Sequence, residues 1–498
     1  MASYLKNFGF SHKSGILLSV SSLPSPYGIG SLGQTALDFI DFLAETGQTC
    51  WQVLPLNPTS YGDSPYQSLS SAAGNPYFID LPLLLQAGLL TEQELRDAEH
   101  DTLRVDYGWL FQTRFPLLRK AHSRFHANAD FKDFCESQKH WLEDYALFMA
   151  LKIHHGHRPW VSWESKYRDV IQARHHAADF AEEMDFWRWV QFTFRCQWDA
   201  VHCYAREKGI FIIGDIPIYA AHDSADVWQA PENFLLTLDG NPRIVAGFPP
   251  DGFSPDGQLW GNPIYNWEYI AQNGFRWWID RLGGCFQLYD ILRIDHFIGF
   301  ENYYAVPYPS ATAKGGKWYK APGKALFSAV KAALPGKKII AEDLGIVTED
   351  VRQLLAFTGF PGMKMLHFAF YEDDSENLPR MYTSDNWVVY TASHDSDCTY
   401  SWAQGLDKTA LARFRKECPV TPGQTIVEAL IAFAMNSRAN LAMVPMQDYL
   451  ELDNASGRMN VPSVAHGNWG WRLAPDYATP ELTEKITHVT TACKRSAT

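Results

Sequence analysis

Residues 289–295 read YDILRID, a short apolar run that ends on Asp295. Seven further runs share this pattern of a short apolar segment with a polar loop after it: GILLSV (15–20), CWQVLPL (50–56), GIFIIGDIPIY (209–219), KKIIAEDLG (337–345), MKMLHFAF (363–370), NWVVYTAS (386–393) and LAMVPMQDYL (441–450). Such runs are typical of parallel strands buried on both faces. Eight is the number that closes a (β/α)₈ barrel. The sequence therefore predicts an α/β fold, a (β/α)₈ TIM barrel with large helical insertions on the βα loops.

Helical patterns lie between several of these runs. TALDFIDFLAETG follows the first run, and Gly47 is the expected end of that helix. TEDVRQLLAFTG follows the fifth run, with Thr348 as the expected N-cap and two acids in the first turn. TIVEALIAFAMNSRAN precedes the eighth. The alternation of strand and helix supports the parallel arrangement.

The spacing of the runs is uneven, which predicts the domain organisation. Residues 57–208, between the second and third runs, are rich in helical patterns such as WLEDYALFMALKIHHG. A (β/α)₈ barrel needs only about 250 residues. We therefore expect a catalytic barrel formed by residues 1–56 and 209–498, with a mainly helical insertion at 57–208. A second insertion, at about 220–285, is predicted to hold loops rich in Gly and Pro.

The composition excludes several classes of protein. Charged residues make up 20% and apolar residues 46%, as in globular proteins, and acids outnumber bases 56 to 43 for a net charge of −13. This balance argues against nucleic acid or an anionic membrane as a partner. No apolar stretch reaches about 18 residues, and the N-terminus lacks the apolar core of a signal peptide. The eight scattered cysteines are expected to be reduced and mostly buried, so a cytoplasmic location is predicted.

Two motifs suggest ligands and are interpreted as structural. Gly28, Gly30 and Gly33 spell GxGxxG, but a loop separates them from the strand and no acid ends the next strand, so a dinucleotide site is not expected. The clusters His154-His155-Gly156-His157 and His175-His176 have no acid at metal-ligand spacing. They are interpreted as exposed helix-end residues. No metal and no cofactor are predicted.

Acids at the ends of predicted strands form the stronger signal. Asp295 ends the fourth run, Glu342 ends the fifth, and Asp395 follows the seventh. The carboxyl ends of the strands meet at one rim of a barrel, where catalytic groups lie. Retaining cleavage of a glycoside needs two carboxyl groups about 5–5.5 Å apart, one as nucleophile and one as acid/base. The high aromatic content, 14%, also suits sugar rings.

The three acids suit distinct roles in this chemistry. Arg293, two residues before Asp295, points to the same face of its strand and would hold that nucleophile as an anion. The apolar residues before Glu342 favour its protonated form. Asp395, beside His394, could bind the hydroxyls of a distorted ring. Asp343 competes with Glu342, because adjacent strand residues face opposite ways and only one can face the pocket.

Long motifs identify a family resemblance over nearly the whole chain. They are SLPSPYGIGSLG, WQVLPLNPTSYGDSPYQSLSSAAGNPY, GDIPIY, GFPPDGFSPDGQLWGNPIYNW, RIDHFIGF, AEDLG, HDSD and RMNVPSVAHGNWGWR. In this order they resemble the 4-α-glucanotransferases called amylomaltases or disproportionating enzymes, glycoside hydrolase family 77 of the α-amylase clan. The resemblance implies a cofactor-independent, α-retaining transglycosylase on a (β/α)₈ barrel. Its partners would be α-1,4-glucans, maltooligosaccharides and glucose.

The resemblance also implies roles for individual residues. Asp295 would be the nucleophile, Glu342 the general acid/base and Asp395 the transition-state stabiliser, in agreement with the strand-end argument. Tyr61 would lie at a secondary glucan site, and Asp215 would either contact substrate or, as we favour, brace Arg293. The implied sugar contacts are Asp63, Ser64, Tyr66, Asp251, Trp260, Arg293, His296 and His394.

Three positions depart from the family pattern, and two other functions stay open. Ser396 stands where an Asn is usual, Gly252 where a Tyr is common and Ser463 where a Gly is usual. None of these changes removes a catalytic carboxylate. The same acids would also serve an α-glucan hydrolase of the clan, which differs only in its acceptor. A non-catalytic glucan-binding protein is the third hypothesis, and the intact acids count against it.

Overall fold

The computed structural model describes residues 11–250 and 254–496, and its centre is an eight-stranded parallel sheet. The strands run in the order β6-β7-β8-β1-β2-β3-β4-β5, and each lies within or overlaps one of the eight predicted runs. The fold expected from the sequence, a nearly closed barrel, is thereby confirmed. The strands are β1 (Lys13–Leu17), β2 (Cys50–Gln52), β3 (Phe211–Ile216), β4 (Ile291–Ile294), β5 (Lys338–Ala341), β6 (Gly362–Met365), β7 (Trp387–Tyr390) and β8 (Leu441–Pro445).

A carboxylate helps to close the barrel between β5 and β6. The Ala341 N–H donates to the Pro361 carbonyl at 2.9 Å, and the Met363 N–H donates to Asp343 Oδ1 at 2.7 Å. A Cβ at Gly362 would lie 2.6 Å from Asp343 Oδ2, so glycine allows this close approach. The side chain of Asp343 thus serves as an acceptor where a regular ladder would use a backbone carbonyl.

Helices cover the outside of the barrel and confirm the predicted patterns. The first ends at Glu45, and Gly47 has a positive φ of 74°. The Thr348 side chain accepts the Val351 N–H and caps the helix after β5, and Thr425 caps the helix before β8. The helices packed around the barrel include Gln34–Glu45, Ala181–Glu207, Arg276–Leu288, Gly323–Ala333, Glu349–Thr358, Lys408–Glu417, Ile426–Met435 and Pro480–Ala492.

The segment between β2 and β3 is mainly helical. Its longest elements, Ala129–His154 and Ala181–Glu207, pack against each other, and the second also contacts Gln34–Glu45 and β3. We propose that residues 57–208 form the inserted unit, with Ala181–Glu207 also serving as a barrel helix. Its other α-helices are Leu81–Gln86, Glu92–Asp97, Tyr107–Ser123, Ser165–Arg168 and Val170–His175.

The second insertion is more regular than its Gly- and Pro-rich sequence indicates. It contributes Ile244–Phe248 and Gln258–Pro263 to an antiparallel sheet completed by Asn302–Pro307 and Lys317–Lys320. Phe248 and Trp260 of this sheet contact His296, which follows β4, so the sheet lies beside the barrel rim. The short helices in the loops on this side are Ala225–Gln229, Trp267–Gln272, Thr399–Gln404, Met446–Tyr449 and Asn454–Gly457.

The two motifs interpreted as structural differ in outcome. A Cβ at Gly30 would lie 1.9 Å from the Val20 carbonyl oxygen, and one at Gly33 would lie 2.1 Å from the Asp80 carboxylate, so glycine leaves room for these groups. The interpretation of the histidines as exposed is wrong for His155, which is buried and stacks on Trp163 with ring centroids 5.2 Å apart.

None of the helices in residues 11–250 and 254–496 is long and apolar enough to cross a membrane.

Candidate active site

Two carboxylates lie side by side at the carboxyl edge of the barrel. Ile294 of β4 pairs with Ala341 of β5, so the next residues, Asp295 and Glu342, occupy matching positions. The Asp295 N–H donates to the Ile216 carbonyl at 2.9 Å, and the Glu342 N–H donates to the Ile294 carbonyl at 3.1 Å. Matched residues on parallel strands face the same side with backbones about 4.8 Å apart. The sheet register therefore brings these two side chains together.

Arg293 joins this pair to the neighbouring strand. Its Nη1 lies 2.6 and 2.7 Å from the two oxygens of Asp215 and 3.2 Å from Asp295 Oδ1. Asp215 is completely buried, and Tyr66 donates its hydroxyl to Asp215 Oδ2 at 2.9 Å. The favoured role of Asp215, bracing Arg293, agrees with these contacts.

Glu342 is the carboxyl group that best retains a proton. Burial raises the pKa of Glu342 well above its usual value, and the adjacent charge of Asp295 raises it further, although Arg293 opposes both effects. The His296 N–H donates to its Oε2 at 2.5 Å, and the Leu344 N–H donates to its Oε1 at 3.2 Å. These bonds fix the orientation of the carboxyl group. His296 has a φ of 52°, a left-handed conformation that is uncommon away from glycine.

Asp295 loses its proton more readily than Glu342. Burial raises the pKa of Asp295 to about 6, Arg293 lowers it, and the charges of Asp215 and Asp395 raise it. A pKa of about 6 leaves Asp295 mainly ionised at pH 7. The pKa of the neighbouring Glu342 is raised well above its usual value, because burial and the charge of Asp295 both favour its protonated form.

Asp395 stays anionic because of its partners. Desolvation by the surrounding atoms would raise its pKa although the side chain is partly exposed, but the attraction of His394 and hydrogen bonds from His394 and Asn460 lower the pKa to about 2. Asn460 Nδ2 donates to Asp395 Oδ1 at 2.6 Å, and His394 Nε2 lies 3.4 Å from Oδ2. Asn460, which sequence reasoning did not single out, lies within the quoted motif RMNVPSVAHGNWGWR but 65 residues from its partner.

Aromatic rings surround the three acids. Tyr66 stacks on His394 with ring centroids 5.1 Å apart, and Trp260 contacts His296 edge-on at 4.8 Å. Burial lowers the pKa of His296 to about 4, so its ring is neutral at pH 7. Five of the residues expected to contact sugar are thereby linked to one another or to the acids: Tyr66, Trp260, Arg293, His296 and His394.

The other expected sugar contacts lie on loops. Asp63, with a φ of 59°, and Ser64 belong to the loop after β2, and burial raises the pKa of Asp63. Ser64 Oγ accepts the Tyr66 N–H at 3.2 Å. Asp251 lies outside the described residues, as does the side chain of Tyr61.

The structure also locates Asp343, the alternative to Glu342, and two of the three positions that depart from the family pattern. Asp343 is directed to the β5–β6 seam, where burial raises its pKa to about 6, and it is not linked to Asp295. Ser396 Oγ accepts the Ser393 N–H at 3.2 Å. Ser463 has a φ of 67°, a conformation that explains why glycine suits this position. Gly252 lies outside the described residues.

Comparisons with known proteins identify the family of this chain. A family model described as 4-α-glucanotransferase matches residues 18–478. The chain belongs to the 4-α-glucanotransferase family. Among the residues described, no group of three or more His, Cys, Asp or Glu side chains could hold a metal ion.

Individual relatives of the family match over nearly the full length. The 4-α-glucanotransferase of Streptococcus pneumoniae serotype 4 is 44% identical over 97% of both chains, and that of Thermus thermophilus is 44% identical over 97% of this chain and 98% of its own. The solved structure of an amylomaltase from Streptococcus agalactiae in complex with acarbose superposes with a TM-score of 0.94 at 39% identity, covering 97% of this chain and 99% of that one. The chain is therefore a 4-α-glucanotransferase by family, sequence and fold.

Proposed function

We propose that this 4-α-glucanotransferase acts through a covalent glycosyl-enzyme intermediate on Asp295. The observation that carries the proposal is the pair of carboxyl groups at matching positions of two neighbouring strands, where burial and the charge of Asp295 raise the pKa of Glu342 well above its usual value. An Asp295 oxygen attacks the anomeric carbon as the bond to the leaving glucan breaks, and Glu342 gives its proton to the leaving oxygen. An acceptor hydroxyl then attacks the same carbon, Glu342 takes its proton, and the bond to Asp295 breaks. Two inversions give net retention.

The surrounding groups have separate roles in this proposal. Anionic Asp395 accepts hydrogen bonds from sugar hydroxyls and stabilises the positive charge that develops on the ring. Arg293 orients Asp295 and favours its ionised form. The remaining sugar contacts proposed are Asp63, Ser64, Tyr66, Asp251, Trp260, His296 and His394, with Tyr61 at a secondary glucan site.

The substrates follow from this chemistry. The donors are α-1,4-glucans and maltooligosaccharides, and the acceptors are the same sugars or glucose. The amylomaltase from Streptococcus agalactiae was solved in complex with acarbose, which supports the proposal that this chain binds sugars. We place the reaction in the cytoplasm, on the composition argument given above.

Maltotriose as the sole substrate tests the proposal. Transfer between maltotriose molecules should give glucose and a ladder of longer maltooligosaccharides, while the number of reducing ends stays nearly constant. Product separation and a reducing-end assay measure both quantities. A steady rise in reducing ends without a ladder would establish a hydrolase instead, and an absence of any product would favour a binding protein.

A further inference from the structure

A large groove lies between three helices on the side of the barrel. Its walls come from Ala129–His154, Ala181–Glu207 and Arg276–Leu288, and its volume is about 550 Å³. Pockets that bind small ligands typically measure 300–1,000 Å³. None of the three catalytic acids lines this groove, so it is distinct from the site described above.

Most of the charged side chains that line the groove already have partners within the protein. Asp144 pairs with Arg174 at 2.8 Å, Asp280 with Arg276 at 2.7 Å, and Asp226 accepts two hydrogen bonds from Ser71. Arg195 likewise pairs with Asp199. An ionic ligand would have to compete with these partners, whereas an uncharged ligand would not. The groove is therefore suited to a neutral, polar ligand.

Flat aromatic surfaces and amide groups both line the groove. Trp141 and Trp277 line the groove and are half-buried, so part of each ring is open to it. Three glutamines, Gln138, Gln229 and Gln287, also line it. Aromatic faces and amide hydrogen-bonding groups together match the C–H faces and hydroxyl edges of a sugar chain.

The inner end of the groove holds a donor without a partner. Arg281 is 9% exposed, and its two terminal nitrogens donate to the carbonyls of Ile218 and Pro217. Its Nε is buried and has no hydrogen-bond partner within the described part of the chain. Arg281 also borders a small inner cavity that reaches Tyr66. Arg281 therefore forms the buried inner wall of the groove and separates it from the cavity beside Tyr66.

We propose that this groove is an accessory binding site for a segment of an α-1,4-glucan. The inference rests on the proposed function, which supplies a long neutral polysaccharide as the natural ligand. Binding here would hold a long glucan on the enzyme and leave the chemistry of short donors unaffected.

Gly284 offers a way to block the groove without removing a packed side chain. It lines the groove on the exposed face of Arg276–Leu288, and a Cβ at this position would meet nothing within 4 Å. Gly284→Leu should fill part of the groove, and Gly284→Ala is the matched control, because it gains the same helix propensity with little bulk. Trp141→Ala is a second test, matched by Phe111→Ala at an exposed aromatic residue outside the groove.

Two measurements decide the proposal. Amylose binding is measured by retardation in native gels containing amylose, in an Asp295→Asn background so that the glucan is not rearranged. Gly284→Leu and Trp141→Ala should weaken it roughly 2–13-fold, the factor expected for one aromatic stacking contact. With Asp295 intact, kcat/KM for maltotriose should change less than about twofold.

The outcomes separate this inference from the proposed function. Equal retardation of the groove variants and their controls, in a protein whose wild type forms the maltotriose ladder, overturns the accessory site. A parallel loss of maltotriose turnover also overturns it, since the groove would then act on the catalytic rim. Failure of the wild type to form the ladder contradicts the proposed function itself.

Discussion

At the scale of the residue, three carboxylates at one rim are held in different states by different neighbours. Asp395 is ionised because His394 and Asn460 outweigh its desolvation by the surrounding atoms, and its pKa is about 2. Glu342 has mainly backbone N–H partners, and burial together with the charge of Asp295 raises its pKa well above the usual value. Separate pKa values for neighbouring acids are how one site supplies both a nucleophile and an acid.

These pKa values predict a bell-shaped pH dependence of kcat/KM. On the acid side activity should fall as Asp295 gains a proton, with a midpoint near pH 6. On the alkaline side it should fall when Glu342 loses its proton, whereas Asp395 should add no limb above about pH 2. Initial rates at low maltotriose concentration across the pH range measure this profile. Full activity retained down to pH 4 would contradict the state assigned to Asp295.

The variant Asp295→Asn should lose activity and keep its stability. Turnover should fall by several orders of magnitude, since the amide cannot form the intermediate. In the wild type, the raised pKa means that folded Asp295 keeps its proton up to about pH 6. The stability that this protonation contributes is lost as pH rises through that value. At pH 7 the neutral amide of the variant avoids the free-energy cost of ionising a buried carboxyl group. Its melting temperature should therefore equal or exceed that of the wild type. A much lower melting temperature would indicate a structural role instead.

At the scale of the element, the seam between β5 and β6 depends on a side chain. Asp343→Ala leaves the buried Met363 N–H without its acceptor, so the free energy of unfolding should fall by about 1–3 kcal/mol. Asp343→Asn keeps an acceptor oxygen and should retain both stability and turnover. Denaturant unfolding and maltotriose assays check this pair of variants. Glu342→Gln, one residue away, is the contrast, because it should retain the fold and lose turnover.

The strands that carry the acids could be predicted, because the signal lies in the sequence of each strand itself. Each barrel strand is buried on both faces, so its sequence is a short apolar run, and a polar residue marks the point where it reaches the rim. The antiparallel sheet was not predicted, because two of its strands, Ile244–Phe248 and Gln258–Pro263, lie in a segment dense with Gly and Pro. His155 was misplaced, because a polar residue at a helix end carries no local sign that Trp163 covers it.

At the scale of the whole molecule, the barrel joins groups that are distant in the chain. The pairing of Asp395 with Asn460 and the contact between Tyr66 and Asp215 across 149 residues depend on closure of the sheet. Sequence spacing alone gives no measure of such contacts. The family resemblance placed Tyr66 near the substrate, and the structure adds what it contacts.

The central claim is that Asp295 forms a covalent bond to the transferred sugar with Glu342 as acid/base. An α-maltosyl fluoride donor tests it in the Glu342→Gln variant, because fluoride leaves without help from an acid, whereas the second step still needs a base. The variant should release fluoride in a single burst and accumulate a maltosyl group on Asp295, located by mass spectrometry of the peptides. A burst without any labelled peptide, or a label on a different carboxylate, would contradict the mechanism.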